Sequence, residues 1–296
     1  MEKVWFITGS SRGLGRCLTE AVLQNGDKVA AAARNISQLN ELVQQYGDQI
    51  LPLALDVTDY EKVHQVVATA VAHFGRIDVL VNNAGFGIIG AAEAYTAEQV
   101  RGQLETNLYA PIEITRAVLP YMRQQGGGRI LQISSIGGRV GNAGLTMYQA
   151  AKFGLSGFTE ALAKETGPLG IYVTSVEPGG FRTDWAGASM TYAPEIAAYE
   201  TVSQRIAYFK EGKFVAVGDP VKAAKAMVDL AQHPAPPLHL VLGSEAISLL
   251  KNADKARQAE MEEWLPVSLS TDHDEAGVFP ETQVAQWVGT GVQRKN

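Results

Sequence analysis

Short apolar blocks recur along this chain and alternate with longer stretches whose apolar positions fall at helical spacing. Val4-Trp5-Phe6-Ile7 is wholly apolar, as expected of a strand buried on both faces of a parallel sheet. Leu14, Cys17, Leu18, Ala21 and Val22 then mark one face of a helix ending near Asn25-Gly26. Further strands are predicted at 28–33, 50–55, 77–81, 129–133, 171–176 and 238–242. Helices are predicted over about 36–46, 59–74, 98–124, 148–166 and 220–232, the last announced by the cap-and-proline pair Asp219-Pro220. Pro111 predicts a kink in the longest helix, which Gly126-Gly127-Gly128 ends. Strands alternating with helices predict an α/β fold, a single doubly wound parallel sheet of about seven strands with helices on both faces.

Two stretches depart from the alternation. Residues 181–217, rich in Ala, Tyr, Met and Trp, predict an inserted helical lid. Trp185, Met190, Tyr192 and Tyr199 there either contact a bulky substrate or pack the lid on the sheet. Residues 244–264 predict a helix, and the polar stretch after Pro266 is expected to wrap the surface or a partner subunit. The expected organisation is therefore one domain, 1–243, with 244–296 as an extension packed on it.

Composition narrows the function classes. The 296 residues are 46% hydrophobic and 19% charged, as in a globular chain with a large core. A net charge of -6 argues against a nucleic-acid surface. No apolar run approaches the ~20 residues that cross a bilayer. The N-terminus leads into a strand and not a secretory signal, so the cytoplasm is the expected compartment. Cys17 is the only cysteine, and His64, His73, His233, His239 and His273 lack metal-ligand spacing; no disulfide and no metal site are expected.

The candidate chemistry lies at strand ends. Thr8-Gly9-Ser10-Ser11-Arg12-Gly13-Leu14-Gly15 joins the first strand to the first helix. In that context glycines let the backbone approach a pyrophosphate, and the helix N-terminus offers free N–H groups and positive charge. Gly9, Ser11, Arg12, Gly13, Leu14 and Gly15 are thus candidate cofactor contacts. An NAD site usually places an acid after the second strand; this chain has Ala33-Arg34. Arg12 and Arg34 suit a ribose 2′-phosphate, which favours NADP and leaves NAD as the alternative. Asp56-Val57 ends the third strand, where Asp56 is an acceptor for the adenine amino group, a cap or turn aspartate before the next helix, or both. Asn82-Asn83-Ala84-Gly85 follows the fourth strand, where small and amide residues read either as backbone near a ligand or as a plain turn. Tyr148 and Lys152, four positions apart, share a helix face. An ammonium at about 4 Å in an effective dielectric near 20 attracts a phenolate by roughly 4 kcal/mol, enough to bring the phenol toward neutral pH. Ser135, at the end of an apolar run, is placed to orient a carbonyl.

Taken together, these motifs resemble the short-chain dehydrogenase/reductase family over roughly residues 1 to 185: Thr8-Gly9-x-x-x-Gly13-x-Gly15, Asp56, Asn82-Asn83-Ala84-Gly85, Asn107, Ser135, Tyr148-x-x-x-Lys152 and Pro178-Gly179. The resemblance implies a Rossmann-type oxidoreductase that moves a hydride between nicotinamide and a carbonyl or secondary alcohol. It implies Tyr148 as general acid/base, Lys152 lowering its pKa and binding the ribose, and Asn107 bending its helix and holding a water linked to Lys152. It selects Ser135, with Ser134 as runner-up. It places Pro178-Gly179 against the nicotinamide and Thr183 at the carboxamide or phosphate. It also implies a homodimer or homotetramer built on the helices near 98–124 and 147–166. Two other readings stand beside it: an NAD-dependent alcohol dehydrogenase, and a non-catalytic NADP-binding sensor or scaffold of the same fold.

Overall fold

The predicted apolar blocks become strands of one sheet in the structure, a computed structural model that describes residues 2–187, 189–275, 277, 279–281, 284 and 285. The strands are β1 (Val4–Thr8), β2 (Lys28–Ala33), β3 (Ile50–Ala54), β4 (Val79–Asn82), β5 (Gly87–Ile89), β6 (Gly128–Ile133), β7 (Ile171–Pro178), β8 (Met190–Tyr192) and β9 (His239–Leu242). The helices are α1 (Gly13–Gln24), α2 (Asn40–Tyr46), α3 (Tyr60–Phe74), α4 (Ala97–Leu104), α5 (Ala110–Gln124), α6 (Thr146–Thr166), α7 (Glu200–Lys210), α8 (Pro220–Gln232), α9 (Ser244–Glu263) and α10 (Leu265–Leu269). Seven strands form the main sheet in the order β3-β2-β1-β4-β6-β7-β9, every neighbouring pair parallel. From β1 the chain winds outward to β2 and β3, then crosses back to β4. That reversal opens a crevice at the carboxyl ends of β1 and β4.

Alternation along β1 explains the layering. Trp5 and Ile7 join the core on the α1 and α8 side, with Leu18, Val22 and Met227. Phe6 joins the opposite core, with Val63, Val67, Ile114 and Val118 of α3 and α5. Phe6 and Ile7 are wholly buried, which stabilises the fold by about 1.5–3 kcal/mol each. β2 is mostly alanine, a poor strand former, yet it is buried and paired on both edges; its neighbours override propensity.

Three features differ from expectation. The long helix is interrupted: α4 runs into a π-helical turn, Glu105–Tyr109, before α5 continues. The expected disturbance at Pro111 is therefore a wider turn just ahead of it. Pro111 has no N–H to offer the carbonyl of Asn107. The lid is also not simply helical, because β8 leaves it to pair in parallel with β5, Gly87 opposite Met190. Three residues on each strand are too few for a periodic signal, and the partners lie about a hundred positions apart. Finally, the chain divides into two compact units, Met1–Ile247 and Ser248–Asn296, with the division inside α9. Much of the stretch after Pro266, expected to wrap a surface, lies outside the described residues. Among the described residues no helix is long and apolar enough to cross a membrane.

Candidate active site

The glycine turn is held from two sides. Gly9 (φ 67°) and Gly13 (φ 55°) take the left-handed conformation that favours glycine. Arg12 occupies the N-cap of α1 without a side-chain cap bond, so the first amides of the helix remain available to an anion. Asn83 Nδ2 donates to the carbonyls of Thr8 (2.9 Å) and Gly9 (3.2 Å), and Thr8 Oγ1 accepts from the amides of Asn83 and Ala84. A methyl group on Gly15 would collide with the Gly9 carbonyl and Asn83 Nδ2. This cradle fits a dinucleotide, with bare backbone where a pyrophosphate must approach and an uncapped helix terminus behind it. Gly15→Ala is expected to cost about 1–3 kcal/mol through overpacking and to weaken dinucleotide binding. Thermal melts and titrations check this, and unchanged values in both would mean that the turn relaxes freely.

Arg12 and Arg34 are both exposed beside this turn, Arg34 immediately after β2. Asp56 shapes the turn after β3. Its Oδ1 accepts from Thr58 N (3.0 Å) and Oγ1 (2.7 Å), while Asp59 caps α3. The Thr58 amide chiefly holds the Asp56 carboxyl below the usual carboxylate range, with the Arg34 charge a smaller contribution. Val57 is buried.

After β4 the two asparagines part. Asn82 turns into the core, donating to Pro111 O, Thr115 Oγ1 and Gln132 Oε1. The loop from Ala84 to Ile88 is held by α4 and the π turn. Asn107, wholly buried, donates to Phe86 O (2.8 Å) and accepts from Phe86 N (3.2 Å). Gln103, one turn earlier, donates to Phe86 O (2.9 Å) and accepts from Ile88 N. The amide of Asn107 thus fixes the strand-end loop. Gln103 was not singled out in the sequence; its only signal is its place four residues before Asn107.

Ser135, Tyr148 and Lys152 come together at the carboxyl end of β6. Ser134 is buried under α6 against Ser156 Oγ (3.2 Å), whereas Ser135 Oγ and the Tyr148 ring both border Gly137, with the hydroxyl facing the phenol. Ser135 Oγ also accepts from Gly137 N (3.0 Å). Lys152 Nζ donates to Ile133 O (2.7 Å) and lies 5.9 Å from the centre of the Tyr148 ring. The expected lowering of the phenol by Lys152 is not what this arrangement gives. Burial pushes Tyr148 up to about 12, with the Ser135 hydroxyl pulling the other way, and burial brings Lys152 down to about 8. Desolvation acts on both groups, and the ammonium is aimed at a main-chain carbonyl.

Lid residues close over the phenol. Trp185 packs on Tyr148 at 5.5 Å between ring centres, and Met190, Val202 and Ile206 join the same apolar cluster with Tyr192 at its edge. Tyr199 is exposed. Pro178 ends β7, Gly179 packs on Ala246, and Thr183 lies against the glycine turn at Gly13. An open cleft lined by Phe181, Thr183, Asp184, Phe214 and Ala216 borders that segment without reaching Tyr148.

Known proteins resemble this chain in sequence and fold. A family model described as short chain dehydrogenase matches residues 3–192. The chain is 42% identical over 273 residues to Oxidoreductase BOA17 of Botryotinia fuckeliana (strain B05.10), covering 92% of this chain and 100% of that protein. A solved short-chain dehydrogenase from Streptomyces avermitilis matches with a TM-score of 0.87 at 40% identity, over 92% of this chain and 100% of that one. A short chain dehydrogenase from Burkholderia cenocepacia, solved in complex with NADP, matches with a TM-score of 0.71 at 25% identity, over 89% and 98% of the two chains. With a parallel seven-stranded sheet, a glycine turn, and Ser135, Tyr148 and Lys152 gathered at one strand end, this chain belongs to the short-chain dehydrogenase family of oxidoreductases.

Proposed function

We propose that this protein is an NADP(H)-dependent oxidoreductase interconverting a carbonyl compound and a secondary alcohol, with Tyr148 as general acid/base. The observation that carries the reading is the gathering of Ser135, Tyr148 and Lys152 at one strand end, with the hydroxyl facing the phenol and the buried lysine one helical turn away. Gly9, Ser11, Arg12, Gly13, Leu14 and Gly15 would hold the pyrophosphate. Arg34, Asp56 and Val57 would hold the adenosine end, and Asn83, Ala84, Gly85, Pro178, Gly179 and Thr183 the nicotinamide half. Bound nicotinamide supplies or takes up the hydride.

The chain's own residues do the rest. Ser135 and Tyr148 bond the substrate oxygen and fix its lone pairs. Burial keeps the phenol protonated at neutral pH, the form that donates to an oxygen gaining negative charge. Lys152, still mostly cationic at pH 7, stabilises the phenolate left behind. Pro111 denies the Asn107 carbonyl its usual helix amide, and that carbonyl would accept from a water leading to Lys152. Trp185 and Met190 exclude solvent from the phenol. Incubation with NADPH and a panel of ketones and aldehydes, following nicotinamide absorbance, tests the reaction. No oxidation of NADPH with any member, despite tight binding, would favour the non-catalytic sensor.

Cofactor preference rests on Arg12 and Arg34. Arg34→Asp removes a phosphate partner and adds a repelling charge, so the ratio of NADPH to NADH dissociation constants is expected to rise at least about tenfold, or ~1.4 kcal/mol. Equal binding of both cofactors by variant and wild type would discard the 2′-phosphate role and leave NAD-dependent alcohol oxidation.

A further inference from the structure

A second buried charge cluster lies beside the site, and nothing in the mechanism above uses it. Glu177 of β7 is wholly buried. Its Oε1 accepts from Ser175 Oγ (3.0 Å) and lies 2.6 Å from His239 Nδ1, while Oε2 lies 3.3 Å from Arg139 Nη1. His239 Nε2 in turn lies 3.4 Å from Glu160 Oε1 on α6. A carboxylate taken out of water is costly unless charge and hydrogen bonds offset it. Ile171 and Val173, on the same face of β7, show that apolar side chains fill this layer equally well. Packing alone does not call for a charge at 177.

Its tethers end on different segments beside the candidate site. Arg139 follows the short turn Ile136–Gly138 that Ser135 opens. His239 begins β9, the outer neighbour of β7. Glu177 itself stands one residue before Pro178, where the chain leaves the sheet and carries Thr183 to the glycine turn. We propose that Glu177 is a positioning residue that, through Arg139, sets the wall carrying Ser135 against the wall running from Pro178 to Thr183. It thereby fixes the separation between the substrate carbonyl and the nicotinamide ring. Reacting atoms must approach to about 3–3.5 Å, so a small shift of either wall lowers the rate steeply. This inference rests on the nicotinamide chemistry proposed for Tyr148.

Two variants test it. Glu177→Gln keeps the shape and loses the charge; Arg139→Gln leaves Glu177 bonded to Ser175 and His239. The readouts are kcat, the fluorescence of bound NADPH, which reports the nicotinamide surroundings, and the dissociation constant of 2′-phospho-ADP-ribose, which lacks that ring. If the wild type prefers NADH, then NADH and ADP-ribose replace them. Each variant is expected to lose about 10- to 100-fold in kcat and to shift the fluorescence, with analogue affinity within about twofold of wild type. The double variant should be no worse than the poorer single one, because both break one tie. Wild-type turnover and fluorescence in Arg139→Gln would overturn the proposal, as would equal losses of affinity for NADPH and the analogue, the mark of a purely structural role. Should Glu177→Gln not fold, Arg139→Gln decides by the same readouts. A wild type that reduces no carbonyl would defeat the proposed reaction, while fluorescence and analogue binding would still judge Glu177.

Discussion

Tyr148→Phe is expected to slow carbonyl reduction by about 100- to 10,000-fold, the usual contribution of a positioned acid, while the cofactor dissociation constant stays within a few-fold. The substitution removes one oxygen and keeps the ring that packs on Trp185 and the lid cluster. Fold and lid should therefore persist, and the loss should fall on kcat. Ser135 would still bond a carbonyl, so KM should change little. In the wild type the phenol stays protonated throughout the neutral range, because burial holds it at about 12. Reduction should accordingly show no loss of rate from phenol ionisation between pH 6 and 8. The decline should begin near pH 8, where the Lys152 ammonium gives up its charge. Steady-state kinetics over pH 6–10 check both points; a variant with wild-type turnover would remove Tyr148 from the chemistry.

Lys152→Met is expected to lower kcat by about 100- to 1,000-fold, as when a preorganised charge aimed at a developing anion is lost. Its effect on stability should depend on pH with a definite sign. The folded-state pKa of Lys152 is lowered to about 8, from 10.5. Below pH 8 the ammonium is charged in both states and the cost of burying it is present in full. Between 8 and 10.5 the unfolded chain binds a proton that the folded chain has released, so wild-type stability rises with pH. Near pH 7 the two proteins should be close, since the variant sheds that cost but leaves Ile133 O without its donor, a loss of about 1–3 kcal/mol. From pH 7 to 9.5 the difference should move in favour of the wild type by about 2 kcal/mol. Denaturant unfolding at each pH measures it, and a difference that does not vary with pH would mean that Lys152 is not desolvated.

Tyr148 and Lys152 show how spacing and environment divide the work. Four residues on one helix put Lys152 beside Tyr148, and that much is written in the chain. Whether the ammonium lowers the phenol depends on where Nζ points and how much water surrounds both groups. Nζ points at Ile133 O, and both side chains are buried. The two serines after β6 pose the same kind of question. Strand alternation says that they face opposite ways, and only the packing of α6 decides that Ser134 meets Ser156 while Ser135 meets the phenol. After β3, Asp56 reads in the sequence as a possible cap or turn aspartate; the path of the turn makes Asp59 the cap of α3 and leaves Asp56 bonded to Thr58.

Local pattern by itself determined the strands of the main sheet, the glycine turn, and the grouping of the candidate residues at strand ends. Each depends on a periodicity or a backbone demand confined to a few neighbouring positions. Tertiary structure alone decided the pairing of β5 with β8, the hold of Gln103 and Asn107 on Phe86, the placing of Trp185 over Tyr148, and the union of Arg139, Glu177 and His239. Those contacts join segments from about 15 to more than 100 residues apart. Their energies come from burial and charge pairing that exist only once the sheet has formed, and no local pattern encodes them.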